Sequence, residues 1–179
     1  MLEKVKEAEL EDGQAGRTPQ GDGWFVVNVA HASAMGSEKL GSGAIFEGRR
    51  GQFPEFGFNV RVLQPGQPNA MYHRETAQEA CLVIRGECIA IVEDEERQLG
   101  PGDFLHLPAG TAHVLVGAGD EPCAVVMAGA RKPDLEILYP VSAAAARYGA
   151  SVENETSDRR VAYGDQPPPR VGHLGERPW

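Results

Sequence analysis

The feature that most constrains this chain is a succession of short apolar segments cut by glycine and proline between Phe58 and Ala130. Phe58–Leu63, Ala80–Arg85, Cys88–Val92, Arg97–Leu99, Phe104–Leu107, Ala112–Val116 and Cys123–Ala130 all read as strands. In the first of them Phe58, Val60 and Val62 alternate with Asn59, Arg61 and Leu63, which is the period of a half-buried strand. G-P-G-D at 100–103 and G-A-G-D at 117–120 supply turns. Gly86-Glu87 reads as the turn of a hairpin, and the acidic group Glu93–Glu96 as a solvated tip. Short strands at such even spacing predict an all-β sandwich or barrel.

The flanks read differently. Residues 1–23 predict a short marginal helix at most, then a flexible lead-in. Trp24–Val29 and Ala44–Glu47 are strand candidates, with a glycine-rich loop between them in which His31 stands alone as a surface residue. The barrel is expected over 24–131 and a C-terminal extension over 132–179. In that extension Val141–Tyr148 predicts a helix with Ser142 as N-cap and Gly149 as stop. A weaker helix is expected near Ser157. A proline-rich mobile tail containing His173, not read as a ligand, follows from Asp165.

Three residues in this frame look like metal ligands. His73, Glu75 and Glu79 are spaced by two and four residues. On an extended chain even spacing aims all three to one side. A helix would set 73 and 75 on different faces. His113, after the turn P-A-G-T-A, is the natural fourth donor. Two imidazoles with one or two carboxylates suit a divalent transition metal, with Fe, Mn, Zn and Ni all open. Glu75 is read either as a ligand or as a general base beside the ion. His106 is a further candidate proton carrier. Asn59 and Arg61 are read as able to hold a substrate carboxylate, and equally as an exposed sheet face.

Composition excludes some classes. A net charge of −9 argues against nucleic acid as a partner. No apolar run is long enough for a membrane span, and the charged N-terminus lacks a signal-peptide core, so a cytoplasmic protein is expected. Cys81, Cys88 and Cys123 match no zinc-finger or C-x-x-C spacing and are expected as buried free thiols. Cys81 shares parity with Glu79, which places it beside the same cavity.

The two motif halves, Gly66 to Gly86 and Gly102 to Gly117, resemble the cupin superfamily. His73, Glu79 and Gly86 fall at the intervals of the first cupin motif, with one extra residue after Gly66. Gly102, Pro108, Gly110 and His113 fit the second. Two positions depart from the pattern: Glu75 stands where the family has a second histidine, and Gly117 where it has asparagine. The likeness covers the stretch from near Phe56 to Arg131, with the motif core at 66–117. It implies a double-stranded β-helix, a jelly-roll-like barrel with short C-terminal helices appended. It also implies a metal held by His73, Glu75, Glu79 and His113, and a homodimer paired through sheet faces. The function it implies is a small metalloenzyme of oxygenase or isomerase type acting on a small polar metabolite. The alternative is a non-catalytic cupin that binds or senses such a metabolite.

Overall fold

The computed structural model describes residues 4–48, 53–164, 166 and 168–174. The strands are β1 (Glu9–Gly13), β2 (Gly16–Gln20), β3 (Ser33–Ser37), β4 (Gly41–Ile45), β5 (Phe56–Leu63), β6 (Arg74–Glu75) and β7 (Glu79–Arg85). They continue with β8 (Glu87–Val92), β9 (Glu95–Leu99), β10 (Phe104–Leu107), β11 (His113–Ala118), β12 (Cys123–Ala130), β13 (Ile137–Leu138) and β14 (Arg170–Gly172). The helices α1 (Ala143–Ala146) and α2 (Arg159–Tyr163) are both short. The all-β expectation holds. None of these helices is long and apolar enough to cross a membrane.

Two sheets face each other. The larger runs β10-β7-β12-β5-β4-β3-β14, and the smaller runs β11-β8-β9. Register explains which side chains fill the space between them. Along β5 and β12 the pairs Leu63↔Cys123, Arg61↔Val125, Asn59↔Met127 and Gly57↔Gly129 share one face. The next strand over adds Val83, Cys81 and Glu79 to that face. Leu63, Cys81, Val83, Leu107, Cys123 and Val125 then meet Cys88, Ala90 and Leu115 of the smaller sheet in one buried cluster. The opposite face of β11 and β8, with Val114, Val116 and Ile91, is covered by Ala144 and Ala145 of α1.

Gly86 is not the tip of a hairpin. The strands on either side of it belong to different sheets, so the chain crosses the barrel there. Gly86 has φ +67°, and a Cβ on it would stand 2.5 Å from the Pro122 carbonyl oxygen. Only glycine tolerates both demands. The true hairpin is β8–β9, where Val92↔Glu95 closes a two-residue turn. Its central residues Glu93 and Asp94 both have positive φ, at 50° and 65°, the pattern of a type I′ turn. This tip is not merely solvated. Glu93 accepts a hydrogen bond from the Ala112 amide, and Asp94 accepts from the Ser142 hydroxyl and the Ala144 amide, which anchors the start of α1. Ser142 caps α1 as its sequence predicts, accepting from the Ala145 amide.

Other expectations are corrected. Residues 9–20, read as a marginal helix and flexible lead-in, form the hairpin β1–β2. Trp24–Val29 is not a ladder strand: its residues run irregularly, and Val29 packs with Ala32, Ala44 and Val60. The glycine-rich stretch 31–43, read as loop, contains β3 and the start of β4. The tail, read as mobile, returns as β14 to pair with β3, while Asp165 itself lies outside the described residues. Just after β14, His173 Nε2 lies 3.1 Å from the Gln14 carbonyl.

The core assignment is testable by truncation. Leu115 is fully buried between the sheets, whereas Leu82 on the outer face is 37% exposed. Leu115→Ala is expected to cost about 2–5 kcal/mol in urea unfolding, and Leu82→Ala much less.

Candidate metal centre

Two backbone hydrogen bonds build the site. The His73 amide donates to the His113 carbonyl at 3.1 Å, and the His113 amide donates to the His73 carbonyl at 2.8 Å. This isolated antiparallel bridge sets the two residues directly opposite each other. Cross-strand partners point to the same face. Their rings accordingly lie with centroids 4.9 Å apart. Residues 66–75 thus run beside β11 as an irregular extra strand of the smaller sheet.

Each ring is then fixed by its own backbone. His73 Nδ1 lies 2.8 Å from the Met71 carbonyl, and His113 Nδ1 lies 3.0 Å from the Thr111 carbonyl. A carbonyl can only accept, so both Nδ1 atoms carry the ring proton in the neutral imidazoles. Both Nε2 lone pairs are left facing inward. Second-sphere bonds of this kind orient metal-bound histidines and fix their tautomer.

Glu79 arrives from the other sheet, at the start of β7. Its Oε2 is 2.9 Å from His113 Nε2 and 4.0 Å from His73 Nε2. Gly129 lies opposite it in the ladder, where a Cβ would make ordinary contact with Glu79 Cγ at 3.4 Å. The three donor atoms all lie within 4.8 Å of one another. With Nδ1 protonated, the short 2.9 Å approach carries no hydrogen between its two atoms. Glu79 Oε2 and His113 Nε2 are both buried with no hydrogen-bond partner. Two lone pairs converging in a dry interior are costly unless a cation or proton lies between them. A divalent transition ion fits this donor set. The electrostatics of His73 and Glu79 agree. Burial pulls the His73 imidazole down, and His113 adds to that, which favours the neutral ligating form. For Glu79, burial raises the carboxyl but the two imidazoles outweigh it, so it stays below the usual carboxylate range. For His113 burial acts downward, and contact with Glu79 reverses it to a net rise.

The remaining candidates separate. Glu75 lies outside the cluster of three and lines an adjoining cavity of about 210 Å³ together with Glu79, Asn59 and Met127. Its carboxyl is pushed up to about 7, first by desolvation and then by the Glu79 charge. Asn59 Oδ1 on the same wall is also buried and unpartnered. His106 pairs with Ala80 on the outward face of the larger sheet and is exposed, so it stands away from the centre. Cys81 shares the inward face of Glu79 but packs in the hydrophobic cluster between the sheets and does not line the adjoining cavity, and burial with the Glu79 charge pushes its thiol up to about 12. All three cysteines are buried and free. Tyr139, which stacks toward His73 at 6.1 Å between centroids, carries no signal in the sequence and is brought in by the C-terminal extension.

Residues 59–129 match the cupin domain family. That segment of the barrel is a cupin domain. No curated protein matches the chain. Among solved structures this cupin is similar to a cupin-superfamily sugar phosphate isomerase from Silicibacter pomeroyi, with 26% identity over 59% of this chain and 74% of that one and a TM-score of 0.51. The polyketide cyclase RemF from Streptomyces resistomycificus shares the fold at 14% identity, over 63% and 83% of the two chains with a TM-score of 0.53. A candidate sugar phosphate isomerase from Acidithiobacillus ferrooxidans aligns at 26% identity and a TM-score of 0.46, over 48% of this chain and 56% of that chain's length.

The donor set makes a direct prediction for elemental analysis of protein purified without chelator. Wild type is expected to carry close to one transition ion per chain, and His73→Ala and His113→Ala to lose it. His106→Ala is expected to retain it. Acidification is expected to release the ion, because protons compete for the imidazoles and the carboxylate.

Proposed function

We propose that this cupin is a metal-dependent enzyme acting on a small polar metabolite by proton transfer, in the manner of an isomerase. The observation that carries the reading is the placement of Glu75. It is a carboxyl that is left out of the three-donor cluster yet lines the cavity beside it. His73, Glu79 and His113 would hold the ion, whose chemistry when bound is to polarise a substrate oxygen and acidify the adjacent C–H or O–H. Glu75 takes up and returns that proton. Asn59, with an unpartnered amide oxygen, accepts a hydrogen bond from a substrate hydroxyl. Met127, Ala128 and Leu135 form the apolar part of the wall. The likeness to a sugar phosphate isomerase supports a polyhydroxylated substrate.

One observation favours a second reading. With Glu75 outside the cluster, the donors reduce to two histidines and one carboxylate, a face whose open positions also suit oxygenase chemistry on Fe(II). Turnover without oxygen separates the two.

The test uses a panel of aldose and ketose phosphates and hydroxy acids, followed by NMR in deuterated water under argon. Isomerisation with deuterium entering carbon next to the carbonyl is expected for wild type. Glu75→Gln is expected to lose about 10²–10⁴-fold in rate while keeping its metal. A Glu75→Gln variant as active as wild type would refute the assignment. Metal-loaded protein that binds a panel member but turns none over, with or without oxygen, would mark the barrel as a binding module instead.

A further inference from the structure

A second cavity lies on the other side of the Asn69–Met127 pair, between the larger sheet and the C-terminal extension. Its volume is about 300 Å³, and Arg61, Arg159 and Tyr163 are among the residues lining it. Arg61 is the unusual member. Its parity on β5 turns it inward, into the barrel, not onto an exposed sheet face. Burial pulls its guanidinium below its usual value.

A largely buried guanidinium ordinarily has a carboxylate beside it, because its desolvation is otherwise uncompensated. Arg61 has none within 4.0 Å among the described residues. Among the described residues its acceptors are the backbone carbonyls of Asn69 and Leu40, both reached from Nη2. Nε and Nη1 hold no hydrogen bond to a described residue. The sheet makes room for this arrangement. Gly43 lies opposite Arg61 in the ladder, and a Cβ there would sit 2.8 Å from Arg61 Cδ and 2.9 Å from Nη1.

The rest of the lining has the same sign. Arg159 carries its guanidinium over the Tyr163 ring at 5.4 Å, and no described Asp or Glu lines the cavity. That is notable in a chain with 26 acidic and 17 basic residues. We propose that this cavity is an oxyanion-binding site, in which Arg61 and Arg159 hold the phosphate or carboxylate group of a small metabolite. A planar guanidinium with two adjacent free N–H directions suits either group, since both present paired oxygens. Tyr163 adds a hydroxyl at the same wall. The assignment stands on this cavity alone and does not depend on the metal centre.

Calorimetric titration of the full chain with inorganic phosphate, and separately with acetate, tests it, using chelator-treated and metal-loaded samples at constant ionic strength. Saturable one-site binding of at least one anion is expected in both samples, and which anion binds more tightly assigns the group. Arg159→Gln, an exposed position, is expected to keep the fold and to weaken binding about tenfold. Arg61→Gln is expected to abolish it, with circular dichroism as the check on folding. Should Arg61→Gln fail to fold, Arg159→Gln alone still decides. Heats no different from those of sodium chloride, or equal affinity in wild type and Arg159→Gln, would overturn the proposal.

Discussion

The reciprocal hydrogen bonds between His73 and His113 are the constraint on which the centre depends. They belong to the backbone and are indifferent to which side chains stand there. They nevertheless place two imidazoles side by side, and carbonyls two residues upstream of each then decide which nitrogen is free. The geometry of the donor set is thus a property of the sheet, and the histidines occupy a position the ladder has already made.

What the larger sheet contributes is depth. Inward-facing positions on β5, β7 and β12 pass from the hydrophobic cluster around Val83, Val125 and Leu63 to Glu79, Gly129 and Gly57 at the strand ends. The carboxylate therefore enters at the mouth of the sandwich, where one side of the centre meets a cavity. A well-packed floor and a polar rim arise from the same alternation, because the apolar residues run out before the strands do.

How much of this was legible depended on whether the signal was local. Short strands, turn glycines and the Ser142 cap are local, and the strand positions from Phe58 to Ala130 followed from them closely. The donors His73, Glu79 and His113 were legible from motif spacing. Glu75 shows where parity fails. Even spacing sets residues on one face only along a continuous strand, and the chain bends at 76–78 between Glu75 and Glu79, so spacing alone does not decide which of the two carboxylates joins His73. The Gly86 crossover looked like a hairpin because a turn between two strands reads the same whether or not those strands pair. The β14 segment was missed because Arg170–Gly172 is stabilised by hydrogen bonds to β3, more than 130 residues away in sequence. The β1–β2 hairpin has a charged sequence whose period suggests nothing apolar to bury.

The bridge between His73 and His113 has one more consequence, for folding. These residues are 40 positions apart, and Glu79 joins them only across the closed sandwich. An unfolded chain presents no such trio, so an ion that occupies it binds the native state almost exclusively. By mass action such an ion deepens the native well in proportion to the logarithm of its concentration over its dissociation constant. The same contacts that shape the chemistry would then set how long the barrel survives heat or denaturant, and supply of the ion would govern the lifetime of the protein as well as its activity.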